Sequence, residues 1–407
     1  MLPKGNLETG LTGLSQGRNN MKKTFITATF AAALFASPAF AQTQGVSDTE
    51  IKIGGLHDLS GPFAGFSVPA VKAAQLYFDE VNAKGGVNGR KITYIVEDHG
   101  YNPTKAVQLA NKLVNSDQVF AMLLSLGTPH NLAAFKIQDP KNIINFYPLS
   151  AAPEMLSEPL ALHFSGGATY YDTIRAGLNH MKGEDANINE VCSMYLPTDF
   201  GKPIVEATKD AAKDIGGSFA AESTHKPDEG DFSGALLKMQ EAGCDVVTLA
   251  LSLKQVITVL GTAKKLGMND IKFLGSSAAF HTAVAKVPGG ITDGFYAVAG
   301  WEDLEGRMGV PEVAAWAKTI LDATGEKIVP TGAILGRSAA EMFVRGLEAA
   351  GKDLTTDSLR AGLETLDYND VIANADVKIT ATKHQATDTT YFSQITGGSW
   401  KTLAKLK

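Results

Sequence analysis

Apolar positions along this chain come in two alternating patterns: short unbroken runs, and longer stretches spaced as one face of a helix. The stretch 51–66, IKIGGLHDLSGPFAGF, sets the plan. It predicts a strand over 51–55, a turn at Ser60, Gly61 and Pro62, and an amphipathic helix over 68–84. Gly61 frees the turn backbone and Pro62 stiffens it. Strand, glycine-containing turn and helix open an α/β unit. Such units place their functional loops at the carboxyl ends of strands, beside the positive end of the next helix.

The alternation continues. KITYIV at 91–96 reads as a strand. The GGVNG turn before it follows a helix rather than a strand, so it caps that helix and is no dinucleotide loop. Residues 102–115 place Ala106, Leu109, Ala110 and Leu113 at helical spacing, and 119–124 reads as a buried parallel strand. Gly127-Thr128-Pro129 starts another helix, with Thr128 as N-cap and Pro129 at the first position. A strand over 143–147 leaves through Leu149, Ser150 and Ala151. A second series follows, with strands at 191–195, 218–224, 245–251 and 271–275 and helices between them. Its separate exit loops argue a second lobe. The tail is less regular, with a strand at 294–299, helices at 313–323, 333–350 and 356–366, and terminal strands at 377–379 and 391–395.

The ends place the chain outside the cytoplasm. Met21-Lys22-Lys23 is a positive start, 25–36 an apolar core too short to span a bilayer, and Ala39-Phe40-Ala41 a cleavage site. The segment 21–41 therefore reads as a signal peptide, 1–20 as an upstream extension, and Gln42 as the first mature residue. There is no lipid-anchor Cys at that site, so a soluble protein of a Gram-negative periplasm is expected. The formal charge is −6 over 407 residues. Cleavage makes it more negative, because the removed part holds Lys4, Arg18, Lys22 and Lys23 against Glu8 alone. Without a basic stripe, nucleic acid is not an expected partner. Cys192 and Cys244 are expected as buried free thiols; a bridge needs their two strand starts to be neighbours.

No recognisable catalytic motif appears: no GxSxG, no Walker A loop, no HExxH. His57 and Asp58 are adjacent at a strand end, where side chains point apart, and read as solvated or hinge residues. His99 and His130 read as isolated loop or rim residues. Neither an enzyme nor a cofactor or metal site is expected.

LSGPFAGF at 59–66 and LYFDEVNAKGGVNGRKITYIVEDHGYNPTKAVQLANKLV at 76–114 resemble the leucine/isoleucine/valine-binding family. These are type I periplasmic solute-binding proteins that feed ABC transporters. The register holds through TDFGK, GTAKKLG and FLGS. The resemblance implies an α/β fold of two doubly wound parallel-sheet lobes joined by three hinge crossovers, near Phe164, Val298 and Ile372. Lobe 1 would comprise 42–164 plus 299–372, and lobe 2 would comprise 165–298 plus 373–407. Phe66 matches an aromatic wall residue. Gly127 and Thr128 match the turn that receives a ligand carboxylate, and Leu149, Ser150 and Ala151 the loop completing it. Phe200 matches a second-lobe aromatic, Ser252 a second-lobe tyrosine, and Ser277 the acid that pairs with an α-ammonium group. Trp301 stays open between pocket wall and core packing.

The departures bear on the ligand. Gly127 and Ala151 lack hydroxyls, leaving backbone N–H groups and Thr128 to hold an anion. Ser252 removes an aromatic wall. Ser277 removes the charge that holds an ammonium group, whose unpaired burial is costly; Asp58 or Asp199 stands as a substitute. The expectation is a monomeric periplasmic subunit of an ABC importer that closes on a small, non-amino carboxylate and docks on an ABC permease in the inner membrane. True branched-chain amino acid binding is an alternative, as is a ligand-presenting sensor for a chemoreceptor or kinase. A secreted α/β hydrolase would need a nucleophile–base pair that the sequence does not offer.

Overall fold

The computed structural model describes residues 43–406. The upstream extension, the signal segment and the cleavage after Ala41 lie outside the described residues. The first lobe starts at β1 (Glu50–His57), where Ile51, Ile53 and Leu56 are buried. The chain turns into α1 (Ala64–Ala83), whose buried Phe66, Ala70, Ala73, Ala74 and Phe78 keep the helical spacing seen in the sequence. Then come β2 (Lys91–Asp98), α2 (Pro103–Asn111), β3 (Ala121–Leu123), α3 (Thr128–Gln138), β4 (Ile144–Phe146) and β5 (His163–Phe164). The five strands form an all-parallel sheet of order β2-β1-β3-β4-β5. Ile53 and Leu123 belong to the core that includes Phe78 of α1, whereas Leu56 and Met122 pack with Ala110 and Ala134 of α2 and α3. Helices thus cover both faces, as a parallel sheet requires.

The second lobe runs α4 (Tyr170–Glu184), β6 (Glu190–Tyr195), α5 (Lys202–Asp214), β7 (Ser218–Thr224), α6 (Ser233–Glu241), β8 (Val246–Ala250), α7 (Leu253–Lys265), β9 (Lys272–Gly275), α8 (Thr282–Ala285) and β10 (Tyr296–Ala299). The chain then supplies α9 (Pro311–Thr324), α10 (Thr331–Ala350) and α11 (Thr356–Leu363). α10 lies on α1 at backbone distance: a Cβ on Gly332 or Gly336 would stand 2.2 Å from the Phe66 carbonyl oxygen or 2.0 Å from that of Ala70. A hairpin of β11 (Asp367–Asp370) and β12 (Ala375–Lys378) precedes β13 (Thr390–Thr396) and β14 (Ser399–Leu406), which add antiparallel to the second sheet. That sheet has the order β14-β13-β10-β9-β8-β6-β7. β5, β11 and β14 escape the sequence pattern because β5 has two residues and the other two are largely open to solvent.

The chain passes between the sheets through 165–169, 300–310 and 379–389. The first and last passages are hydrogen-bonded: Ser165 N–H donates to the His384 carbonyl (3.0 Å) and Ala386 N–H to the Ser165 carbonyl (2.9 Å). A Cβ on Gly167 or Gly300 would meet Thr387 Cγ2 at 3.5 or 3.9 Å, so all three lie side by side. Ile372 sits in the turn of the β11–β12 hairpin, buried with Leu304, Val313 and Ile334.

The expected free thiols are a disulfide. Cys192 and Cys244 are joined, with Cα atoms 5.9 Å apart. The reason is strand order. β6 and β8 are neighbours, Cys192 is opposite Val247, and Cys244 enters the sheet just before β8.

Candidate functional site

The loops at the carboxyl ends of β1, β2, β3 and β4 face those after β6, β9 and β10 across a cavity of about 90 Å³. That is several times the space one water needs. Of the residues expected at the site, Phe66, Gly127, Thr128, Leu149, Ser150, Ala151, Phe200, Ser277 and Trp301 line it together. Ser252 does not. It is the N-cap of α7, fully buried, with its hydroxyl on Gln255 Oε1 (3.0 Å) in a capping box. The β8 exit therefore spends this hydroxyl on closing a helix end.

Aromatic rings bridge the two lobes. Tyr101 lies on Phe63 (ring centroids 4.6 Å apart), Phe63 meets Phe200 edge to face (5.8 Å), and Phe200 meets Tyr170 the same way (5.5 Å). Phe63, Tyr101, Tyr147 and Tyr170 all line the cavity and were not singled out from the sequence. Their signal was position, since Tyr101 and Tyr147 follow β2 and β4 and Tyr170 opens α4. Tyr101 (φ 58°) and Tyr147 (φ 52°) adopt left-handed backbone. This is costly for bulky residues and concentrates at functional sites.

A small polar corner lies among these rings. Thr128 Oγ1 and Ser150 Oγ are 2.8 Å apart. Thr128 is the first residue of α3 and does not cap it; Gly127 holds the cap position at φ 97°, without a side-chain bond. The Thr128 hydroxyl is thus turned to Ser150, and its N–H belongs to the unsatisfied helix start. The Gly127 N–H is not free for a ligand, because it donates to the Leu149 carbonyl (3.2 Å). Asn131 braces the loop beneath, donating to the carbonyls of Ser125 and Gly127 (both 2.9 Å) and accepting from Asn145 (3.1 Å). Burial pushes the Tyr170 phenol up to about 12, while the nearby Ala151 backbone and Ser150 hydroxyl pull it the other way. Thr128, Ser150, Ala151 and Tyr170 therefore converge. Trp301 also lines the cavity, with its indole N–H buried and without a hydrogen-bond partner.

Among the described residues, no charged side chain lines the cavity. Asp58 is buried and accepts from Gly61 N–H (2.6 Å) and Phe63 N–H (2.8 Å), bracing the turn into α1. Burial raises its pKa against those bonds. Asp199 is held by Lys202 (2.8 Å) at the surface. Neither replaces the acid that Ser277 lacks. His57, expected as a solvated or hinge residue, and His99 and His130, expected at loops or rims, are all buried. His57 Nε2 pairs with the Tyr94 hydroxyl (2.7 Å), and the His99 and His130 rings stack 4.2 Å apart. His99 Nδ1 accepts from Tyr101 N–H (3.0 Å), so Nε2 carries the proton that it gives the Leu126 carbonyl (3.1 Å). These imidazoles hold the loops behind the cavity.

Residues 50–399 match the periplasmic binding protein family. A leucine-, isoleucine-, valine-, threonine-, and alanine-binding protein of Pseudomonas aeruginosa is 24% identical, over 86% of this chain and 90% of that one. A fatty acid ABC transporter substrate-binding protein from Thermomonospora curvata superposes with a TM-score of 0.82 at 25% identity, covering 90% of this chain and 94% of that one. An ABC transporter solute-binding protein from R. palustris, solved in complex with benzoate, shares the fold with a TM-score of 0.77 at 20% identity, over 88% and 96% of the two chains. The family match runs through both sheets and every passage between them, and so the chain belongs to the periplasmic binding protein family, as a solute-binding, non-enzymatic component of an ABC transporter.

Proposed function

We propose that this protein captures a small carboxylate with an aromatic or branched apolar body and no amino group. One observation carries the reading: the cavity offers hydroxyls and aromatic walls but, among the described residues, no carboxylate to balance an ammonium. Thr128, Ser150, Tyr170 and the α3 start hold the anion, since hydrogen bonds to an ionised acceptor are the strong ones. Phe63, Phe66, Phe200 and Trp301 offer flat apolar faces to its body. The ligands named for the relatives, five amino acids from leucine to alanine, fatty acids and benzoate, share a carboxylate and an apolar part, which agrees with this division of labour.

Capture proceeds by closure of the two lobes about the three passages, a population shift set by ligand affinity for the closed form. The protein works as a periplasmic monomer, and the closed form docks on an ABC permease of the inner membrane. Calorimetry with leucine and with benzoate, phenylacetate and isovalerate tests the ligand class. An acid binding more tightly than leucine is expected. Micromolar leucine binding with no response to any acid would overturn the reading.

A further inference from the structure

The ligand cavity has a neighbour. A second, larger hollow of about 690 Å³ lies on the other side of the first turn of α1, lined by Gly65, Val68, Pro69, His281, Ile328 and Ala333 among others. Its walls are mainly apolar, and Val68 (49% exposed) and Ile328 (43%) open it to solvent. Lys72 and Lys286 stand among its lining residues.

One pair of rings reaches from the one space to the other. Phe66 lines the ligand cavity and His281 lines the outer hollow. They meet edge to face with centroids 4.7 Å apart, and both are buried. His281 is fixed on each side. Its Nδ1 accepts from Ala283 N–H (3.0 Å), which leaves the proton on Nε2, and Nε2 donates across the cleft to the Gly65 carbonyl (3.1 Å). Its own carbonyl accepts from Trp400 Nε1 (3.1 Å). A Cβ on Gly65 would be tight only against Leu253 Cδ1 (3.2 Å) and would stand at ordinary contact distance, 3.9 Å, from His281 Nε2.

We propose that the Phe66–His281 pair is a partition that sets the maximum length of the ligand, and that removing it joins the cavity to the outer hollow and admits longer unbranched carboxylates. The inference rests on the ligand lying in the cavity as assigned above, with its carboxylate at Thr128 and Ser150 and its apolar end towards Phe66. A chain passing the partition would enter a hollow of matching apolar character, so each added methylene would gain burial that the intact wall denies it.

The test is calorimetry of the full chain with a series of straight-chain acids from butyrate to decanoate, for the wild type, His281→Ala and Phe66→Ala. The readout is the affinity for decanoate divided by that for butyrate. Losing the His281 hydrogen bond weakens closure on every ligand alike and leaves this ratio unmoved. Opening the partition is expected to raise the ratio at least about tenfold, as burial of two further methylenes would. An unchanged ratio in both variants, with thermal melts showing them folded, overturns the inference, as does a wild type that already binds decanoate as well as butyrate. Absence of any acid binding by the wild type counts against the ligand class above, while the variants' gain for decanoate judges the partition separately.

Discussion

Phe63, from the turn before α1, meets Phe200, from the loop after β6, edge to face with ring centroids 5.8 Å apart. The two residues lie on loops that leave different sheets, and both line the cavity. If capture proceeds by the closure proposed above, this contact belongs to the closed form and is felt by whatever the cavity holds. Phe63→Ala should weaken ligand binding about tenfold, the scale of one lost aromatic pair. The loss should appear as faster release, with little change in the association rate. Stopped-flow kinetics checks this, and an unchanged release rate would separate the ring pair from closure.

Gly166 lies flat on Tyr147. A Cβ there would stand 2.5 Å from Tyr147 Cζ, closer than real contacts allow. Tyr147 cannot easily give way, because it is buried, lines the cavity and is held in left-handed backbone. Gly166→Ala is expected to displace the tyrosine into the ligand space. Binding should fall by at least about tenfold, with a stability loss of about 1–3 kcal/mol from overpacking. Calorimetry and a urea melt on one preparation measure both, and native-like binding would show that the first passage can yield.

How much of this could be read in the sequence depends on where each residue lies. The strand exits at Gly127, Thr128 and Ser150 were legible, because turn residues announce themselves locally. Ser252 also sits at a strand exit, yet it caps a helix, and only the three-dimensional course of α7 decides between those roles. The bond between Cys192 and Cys244 depends on β6 lying beside β8, a pairing between residues 52 apart. The burial of His57, His99 and His130 likewise comes from loops of different strands packing together, which no single stretch records.

The disulfide closes a large loop within the second lobe, and cross-links of this kind stabilise mainly by restricting the unfolded chain. Cys192→Ser with Cys244→Ser should lower stability by about 2–4 kcal/mol. Thiol titration of the denatured, unreduced protein should find no free thiol among the two cysteines. Two reactive thiols would contradict the bridge.

Acid should destabilise the protein through its buried imidazoles. Burial lowers His57 and His99 to about 3 and His130 to about 4, from an ordinary value of 6.5. The unfolded chain therefore binds protons that the folded chain refuses. The contribution to stability is complete above pH 6.5 and is lost as pH falls from there towards 4. Each such group gives a slope of up to about 1.4 kcal/mol per pH unit. Asp58 and Asp370, whose pKa values burial raises, act in the opposite sense as they take up protons. Urea midpoints should thus drop between pH 7 and pH 5.5, and less so in His130→Asn. Equal midpoints at the two pH values would mean that these rings titrate normally.

Ser277 gives the sharpest test of ligand class. It lines the cavity at the exit of β9, and the family resemblance matches it to an acid that pairs with an ammonium group. A hydroxyl there serves a neutral or acceptor group on the ligand and balances a cation only weakly. Ser277→Glu puts a carboxylate into a site that otherwise has no charged lining, about opposite the Thr128–Ser150 corner if the ligand spans the space between the lobes. A bound acid would then face a second negative charge, and its affinity should fall by at least about tenfold, since partial burial weakens screening of the repulsion. Leucine should respond in the opposite direction, because its ammonium gains the partner it lacks. Calorimetry of benzoate and leucine with both proteins measures the pair of changes. Weakening of both ligands alike would point to a clash, whereas an unchanged benzoate affinity would place the acid away from Ser277 and remove the basis for reading this position as the selector.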